Sequence, residues 1–195
     1  EAPTENNVTF DLVGIEFYNE FIPCVGGADF NQENVDEMMK GWRSLNISDD
    51  LLGAWGYVPA SDTSRFDNGW WELSWESKEA ADAAWAEWVQ DEEAMAFLAA
   101  NESVMVCNGE ERAAWDMTFH RDVYSFGPMT EDRSFFTEFF PCKYNDGKSS
   151  DDLMESIALY NKWLDGLDPT GFYAYGIYAG DGTDDIIREL GLQDS

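Results

Sequence analysis

Apolar and polar positions follow the same strand, helix and strand pattern twice along the chain. Residues 20–24 (EFIPC) and 138–142 (EFFPC) each predict an aromatic-rich strand that ends at a proline. Residues 51–60 and 171–180 predict later strands that are apolar on both faces. Between the strands of each copy lie apolar residues at helical spacing: Val35, Met38, Met39 and Trp42 in the first copy, and Leu153, Ile157, Tyr160 and Leu164 in the second. The pattern therefore predicts a duplicated β-α-β unit.

The first copy continues into a third strand, a second helix and a fourth strand. Residues 68–77 alternate as a half-buried strand does, with Trp71, Leu73 and Trp75 on one face and Trp70, Glu72 and Ser74 on the other. An Ala- and Trp-rich amphipathic helix follows, then a second helical piece and a strand within residues 112–126. Predicted helix N-caps are Asn31, Ser77, Asp91 and either Ser149 or Ser150. The order βαββαβ predicts an α+β, ferredoxin-like sandwich of two helices on a four-stranded antiparallel sheet.

Residues 70–103, WWELSWESKEAADAAWAEWVQDEEAMAFLAANES, also carry a family resemblance. This segment resembles the third strand and second helix of the dimeric α+β barrel superfamily, particularly its NIPSNAP-like and antibiotic-monooxygenase-like members. In those proteins an aromatic strand leads to Ser, an Ala/Glu-rich helix and an acidic segment. The resemblance implies two units packed sheet to sheet as a barrel, from a homodimer or a tandem repeat, with an apolar pocket between the sheets.

The chain departs from a full tandem repeat because only fifteen residues follow Gly180. We therefore expect a complete ferredoxin-like unit over residues 8–127. Residues 133–195 are expected to form a partial second β-α-β copy with a short C-terminal helix, so that the sheets pack as a barrel-like pair. Either that helix covers the incomplete sheet or a second chain does, which leaves a homo-oligomer open.

Charge and hydropathy narrow the range of partners. Forty acidic residues against eleven basic ones give a formal charge of -29, which repels nucleic acid and anionic membrane surfaces. No apolar run approaches the roughly 20 residues that a membrane-spanning helix needs, so membrane insertion is not expected. The sequence begins EAPTENN without Met, and we interpret this as a mature N-terminus of a secreted or periplasmic protein, with a trimmed chain as the alternative.

Cysteine and loop patterns argue against a resident metal or cofactor. Cys24, Cys107 and Cys142 are odd in number and lack CxxC spacing, which disfavours a zinc site or a disulfide framework and leaves one bridge open. The sequence matches neither an EF-hand calcium loop nor a Gly-rich phosphate loop. We therefore predict no metal and no cofactor.

Candidate chemistry lies on the sheet face that we expect to point away from the helices. Acidic side chains that share such a face push each other's pKa values apart, which suits proton transfer. The alternative for each residue is a solvated sheet face, and a lone histidine more often makes a local hydrogen bond. The predicted catalytic residues are Glu20, Glu72 and His120, and the predicted ligand-binding residues are Tyr18, Trp70, Asp116 and Glu138.

Three functions remain open from the sequence. The first is an exported protein that binds a small apolar or aromatic molecule in a cleft between two sheet faces. The second is a cofactor-independent, oxygenase-like enzyme with Glu20, Glu72 or His120 as the base. The third is a non-catalytic assembly protein that uses the incomplete second unit as an interface.

Overall fold

The computed structural model describes residues 12–60, 68–127, 135–140, 142–167, 173 and 175–179. Within them the α+β class is confirmed. Over the described helices, none is long and apolar enough to cross a membrane. In chain order the elements are β1 (Glu16–Gly26), α1 (Gln32–Trp42), β2 (Leu51–Tyr57), β3 (Gly69–Trp75), α2 (Lys78–Trp88), α3 (Glu92–Ala100), β4 (Met105–Cys107), β5 (Ala113–Phe119), α4 (Ser150–Leu164) and β6 (Gly176–Ala179).

Helix starts follow the predicted capping residues. The side chain of Asn31 accepts the N–H of Asn34 at the start of α1, and Ser77 accepts that of Ala80 at the start of α2. Asp91 caps α3, and Ser149 forms a capping box with Asp152 at α4. Each cap satisfies a backbone N–H that has no partner within its helix. These local signals explain why the helices were predictable from the sequence.

The strands form one six-stranded antiparallel sheet in the order β2-β3-β1-β5-β6, with β4 paired to the end of β1. Over the described residues this sheet is open, with β2 and β6 at the two ends of its path. The expected barrel-like pair of sheets is therefore wrong. The reason lies in the second copy, where residues 138–140 and 142 were predicted to form a strand but belong to none. An apolar pattern alone does not specify the ladder of backbone hydrogen bonds that defines a strand.

Two compact units divide the described chain. The larger unit comprises Glu16–Met117 and Tyr178–Ser195, and the smaller comprises Glu1–Ile15 and Thr118–Ile177, as far as those ranges are described. In the smaller unit, α4 is held by the Asn161 side chain, whose Nδ2 donates to the carbonyl of His120 at 2.8 Å. The sequence-based division at residues 8–127 and 133–195 stays a prediction, and the predicted C-terminal helix lies outside the described residues.

The register between β1 and β3 assigns side chains to the two faces of the larger unit's sheet. Glu20 pairs with Leu73 and Phe21 pairs with Glu72, and directly opposed residues point to the same side. The helix face carries Tyr18, Glu20, Ile22, Trp71, Leu73 and Trp75, which pack with residues of α1 and α2 such as Met39, Trp42, Ala81 and Trp85. We call the other side the far face, and it carries Asn19, Phe21, Glu72 and Ser74.

A disulfide joins Cys24 on β1 to Cys107 on β4. The two residues are directly opposite each other in the β1–β4 ladder, with Cα atoms 4.0 Å apart and a separation of 83 positions in sequence. Such a bridge stabilises mainly by restricting the unfolded chain, and more so for a long loop. The third cysteine, Cys142, is an exposed thiol.

Removing the disulfide with the double substitution Cys24→Ala and Cys107→Ala should lower the free energy of unfolding by roughly 2–5 kcal/mol. Denaturant unfolding followed by tryptophan fluorescence measures the change. Cys142→Ser is the matched control and should leave the unfolding midpoint unchanged, because that thiol is exposed. Equal midpoints for the double variant and the wild type would contradict this role of the bridge.

Candidate functional site

Glu20 lies on the helix face and is 1% exposed. Its Oε2 accepts hydrogen bonds from the Trp75 indole at 2.9 Å and the Trp85 indole at 2.6 Å. Its Oε1 accepts from Arg112 Nε at 2.7 Å, and the Arg112 guanidinium also lies 4.9 Å over the Trp85 ring. This carboxylate therefore ties α2 and the start of β5 to β1, and both of its oxygens are engaged in doing so.

Glu72 lies on the far face and is 3% exposed. Its Oε1 accepts hydrogen bonds from Asn19 Nδ2 at 2.5 Å and the Tyr178 hydroxyl at 2.8 Å, and its Oε2 accepts from the Tyr57 hydroxyl at 2.5 Å. Burial raises the pKa of Glu72, and the three hydrogen bonds lower it by less. Burial and the nearby carboxylate raise the pKa values of Tyr57 and Tyr178, so both phenols stay protonated as donors.

Two polar atoms beside Glu72 lack partners among the described residues. Asn19 and Ser74 are directly opposite each other in the β1–β3 ladder and are 0% and 3% exposed. Asn19 Oδ1 and Ser74 Oγ make no hydrogen bond to any residue that the structure describes. A buried polar group without a partner costs about 1–3 kcal/mol, so such groups are rare and call for an explanation. We call the residues Asn19, Tyr57, Glu72, Ser74 and Tyr178 the Glu72 cluster.

Aromatic rings border the Glu72 cluster on the far face. The Phe21 ring meets the Trp115 and Tyr178 rings edge to face, each with centroids 5.4 Å apart, and lies 6.4 Å from the Tyr57 ring. Trp115 is buried, whereas Tyr57 and Tyr178 are half-buried. The cluster is therefore polar at its centre, aromatic around it, and closest to solvent on the side of the two tyrosines.

The expected grouping of Glu20 with Glu72 is wrong. The two carboxylates lie on opposite faces, because α1 and α2 pack on the side of β1 that carries Tyr18 and Glu20, whereas Phe21 and Glu72 lie on the other side. The sequence argument assumed that the more apolar set of β1 faces the helices. That assumption was wrong. Hydrogen bonds from two indoles and one guanidinium make the burial of Glu20 favourable, so Glu20 faces the helices.

The remaining predicted residues are dispersed. Tyr18 is half-buried on the helix face, Trp70 is half-buried opposite Tyr57, and Asp116 is exposed between buried neighbours on β5. His120 and Glu138 belong to the smaller unit. His120 is half-buried near the Tyr175 ring, where burial lowers its pKa, and Glu138 is exposed.

Asn19, Tyr57, Ser74 and Tyr178 were not among the predicted site residues. One signal was present, since Asn19 is polar between Phe17 and Phe21 on the same side of a strand, where a core side chain is expected. A buried amide in an apolar row needs a partner, and Glu72 supplies it. Tyr178 is 106 residues from Glu72 in sequence, so no local pattern indicates their contact.

A separate surface pocket of about 220 Å³ lies beside the disulfide. Cys24, Phe30, Val58 and Met105 are among its mostly apolar lining residues, and no member of the Glu72 cluster lines it. Among the described residues, no group of three or more His, Cys, Asp or Glu side chains is arranged to hold a metal ion.

Comparisons with known proteins give one structural likeness. No protein-family model and no curated protein matches the chain. A hypothetical protein of Arabidopsis thaliana, solved in solution, is 14% identical and matches over 55% of this chain and 90% of its own, with a TM-score of 0.35. A likeness at this score assigns neither a family nor a function.

Glu72→Gln should change how stability depends on pH. Burial raises the folded-state pKa of Glu72 above its ordinary value of 4.5, so the folded protein binds this proton more tightly than the unfolded chain does. The contribution of Glu72 to the free energy of unfolding is therefore largest below pH 4.5 and falls as the pH rises through the raised pKa. Denaturant unfolding of both proteins between pH 3.5 and 8 should show the wild-type advantage shrinking with pH. The exposed Glu87→Gln is the control, and a difference independent of pH would contradict the assignment.

Arg112→Met should destabilise the larger unit, because it leaves the buried Glu20 carboxylate without its charged partner. We expect a loss of about 1–3 kcal/mol, below the full cost for a buried pair, because the Arg112 side chain is 32% exposed. Chemical denaturation compares it with Arg43→Met, an exposed position expected to change stability by less than about 0.5 kcal/mol. Equal effects of the two substitutions would show that the ion pair is not structural.

Proposed function

We propose that the larger unit binds a small molecule on its far face, at the Glu72 cluster. The observation that carries this proposal is a pair of buried atoms, Asn19 Oδ1 and Ser74 Oγ, that have no partner among the described residues and belong to residues opposite each other in the β1–β3 ladder. Ligand sites in proteins combine mostly apolar walls with a few placed polar groups. Aromatic rings around two adjacent unsatisfied atoms have this composition.

A ferredoxin-like unit of the dimeric α+β barrel type supports this location. We propose that β1, β2, β3 and β5 correspond to its four strands, since β1 lies between β3 and β5 with β2 beside β3. The sequence resemblance implies an apolar pocket between two sheet faces. The far face, which lies opposite α1 and α2 in the larger unit, is the face on which we propose the ligand binds.

We also propose that the protein functions outside the cytoplasm. Disulfides persist in oxidising compartments and are rare in the cytosol. The Cys24–Cys107 bridge therefore supports a secreted or periplasmic location, and the charge of -29 suits a protein that stays soluble there.

A proton-abstracting, oxygenase-like enzyme is the second candidate, and the raised pKa of the buried Glu72 favours it. A base with a raised pKa is better matched to neutral pH. Three hydrogen bonds already engage both carboxylate oxygens of Glu72, which argues against its acting as a base. Binding without chemistry accounts for the cluster with fewer assumptions. Isolating a substrate and a product together on the protein would favour the enzyme.

Native mass spectrometry of the full chain isolated from its source, compared with its denatured mass, tests the proposal. We expect a retained small molecule, and we expect Ser74→Ala to lose it. That variant should fold with equal or slightly greater stability, because the hydroxyl it removes has no partner. Ser103→Ala, at an exposed turn, is the matched control and should retain the molecule. A wild-type protein that carries no small molecule would overturn the proposal.

A further inference from the structure

We propose that Asn108 is a site of spontaneous deamidation, and that the isoaspartate formed there weakens the attachment of Arg112 to Glu20. This chemistry goes beyond the proposed ligand binding and needs no ligand. The sequence contains two Asn-Gly pairs, Asn68-Gly69 and Asn108-Gly109. Glycine after asparagine favours deamidation, because no Cβ hinders the approach of the glycine nitrogen to the asparagine side chain.

Deamidation at Asn108 is an intramolecular reaction that consumes only water. The backbone nitrogen of Gly109 attacks Asn108 Cγ, a bond forms between these two atoms, and the Cγ–Nδ2 bond breaks. The side-chain nitrogen leaves as ammonia and takes the proton of the Gly109 amide. Water then opens the cyclic imide. Opening between the nitrogen and Cγ gives aspartate, and opening between the nitrogen and the former main-chain carbonyl gives isoaspartate.

The turn between β4 and β5 presents Asn108 for this reaction. The residue is exposed, and its Oδ1 accepts the N–H of Glu110 at 3.1 Å, which folds the side chain back over the Asn108–Gly109 peptide. The same bond polarises the Cγ carbonyl that is attacked. Among the described residues, no hydrogen bond engages either reacting nitrogen, Asn108 Nδ2 or the Gly109 amide. Ring closure therefore breaks no hydrogen bond that either nitrogen makes there.

The other pair, Asn68-Gly69, is held differently. Gly69 is the first residue of β3 and pairs with Cys24 in the β1–β3 ladder. Asn68 is half-buried, and its Nδ2 donates to the carbonyl of Gly69 at 3.1 Å. Ring closure there would distort a paired strand residue and break the bond that the leaving nitrogen makes. We therefore expect the fold to protect Asn68 and to leave Asn108 reactive.

The turn at Asn108 also positions Arg112. Nη1 of Arg112 donates to the carbonyl of Gly109 at 2.7 Å, while its Nε donates to Glu20 at 2.7 Å. Isoaspartate lengthens the main chain by one methylene before Gly109. It also turns the Asn108 carbonyl, which accepts the N–H of Glu111 at 3.2 Å, into a free carboxylate. The Gly109 carbonyl therefore shifts relative to Arg112, and the bond from Arg112 to the buried Glu20 weakens.

Ageing of the full chain in neutral buffer tests the site. Digestion at acidic pH, where the attacking nitrogen keeps its proton and ring closure is slow, followed by mass spectrometry measures deamidation at each asparagine. In the folded protein we expect Asn108 to react at least about tenfold faster than Asn68, because β3 must open first. In the denatured, reduced chain the rates should agree within about threefold, since glycine follows both. Equal rates in the folded chain, or a faster reaction at Asn68, would overturn the proposal.

Gly109→Ala tests the attacking nitrogen. The added Cβ would lie in ordinary van der Waals contact, 3.4 Å from the Trp85 ring, so the variant should fold. We expect it to slow deamidation of Asn108 at least about tenfold and to leave Asn68 unchanged. An unchanged rate at Asn108 would exclude attack by the Gly109 nitrogen.

The stability of the aged protein tests the effect on Arg112. The isoaspartate form, purified by ion-exchange chromatography, should unfold at a lower denaturant concentration than the unreacted chain. Asn108→Asp is the control for the added charge and should keep the wild-type midpoint, because aspartate accepts the Glu110 N–H as asparagine does. In Arg112→Met, ageing should cause little further loss, since the bond to Glu20 is already absent. An isoaspartate form as stable as the wild type, or an equal loss in Arg112→Met, would show that the turn does not act through Arg112.

Discussion

Strand β1 pairs with β3 over seven consecutive residue pairs, from Tyr18 with Trp75 to Cys24 with Gly69, and the faces of the larger unit depend on this register. A shift by one residue would send every side chain of β1 to the other face. Glu20 would leave its indole and guanidinium donors, and Asn19 would leave Glu72. The disulfide at the end of β1 and the three bonds to Glu20 hold the register in place.

The two buried carboxylates, Glu20 and Glu72, have different roles because their hydrogen-bond donors differ. Glu20 accepts hydrogen bonds from a cation and two indoles, which makes its charge compatible with a packed helix interface. Glu72 accepts only from neutral donors in its described hydrogen bonds, so burial dominates and its pKa rises. The first carboxylate holds elements together, and the second organises polar atoms on the face opposite α1 and α2.

The sequence predicted what local patterns determine. The strand β3, the cap at Ser77 and the amphipathic α2 follow from local patterns, and each was found where predicted. The half-buried character expected of β3 was wrong, because Glu72 and Ser74 on its polar face are buried as well. The strand predicted at residues 138–142 is not found at residues 138–140 and 142, because an apolar pattern alone does not specify the hydrogen-bonded ladder that a strand requires. The Glu72 cluster was missed apart from Glu72 itself, because its contacts join residues 53 and 106 positions apart and depend on register and on the face that the helices choose. A polar residue in an apolar row, such as Asn19, is the one sequence signal for a site of this kind.

The most direct test of the account is a crystal structure of the full chain isolated from its source. The account predicts a small molecule at the Glu72 cluster, within hydrogen-bond distance of Asn19 Oδ1 or Ser74 Oγ, with the Asn19 amide nitrogen on Glu72. A structure in which protein groups or a water molecule satisfy both atoms, and no small molecule lies on the far face, would contradict it.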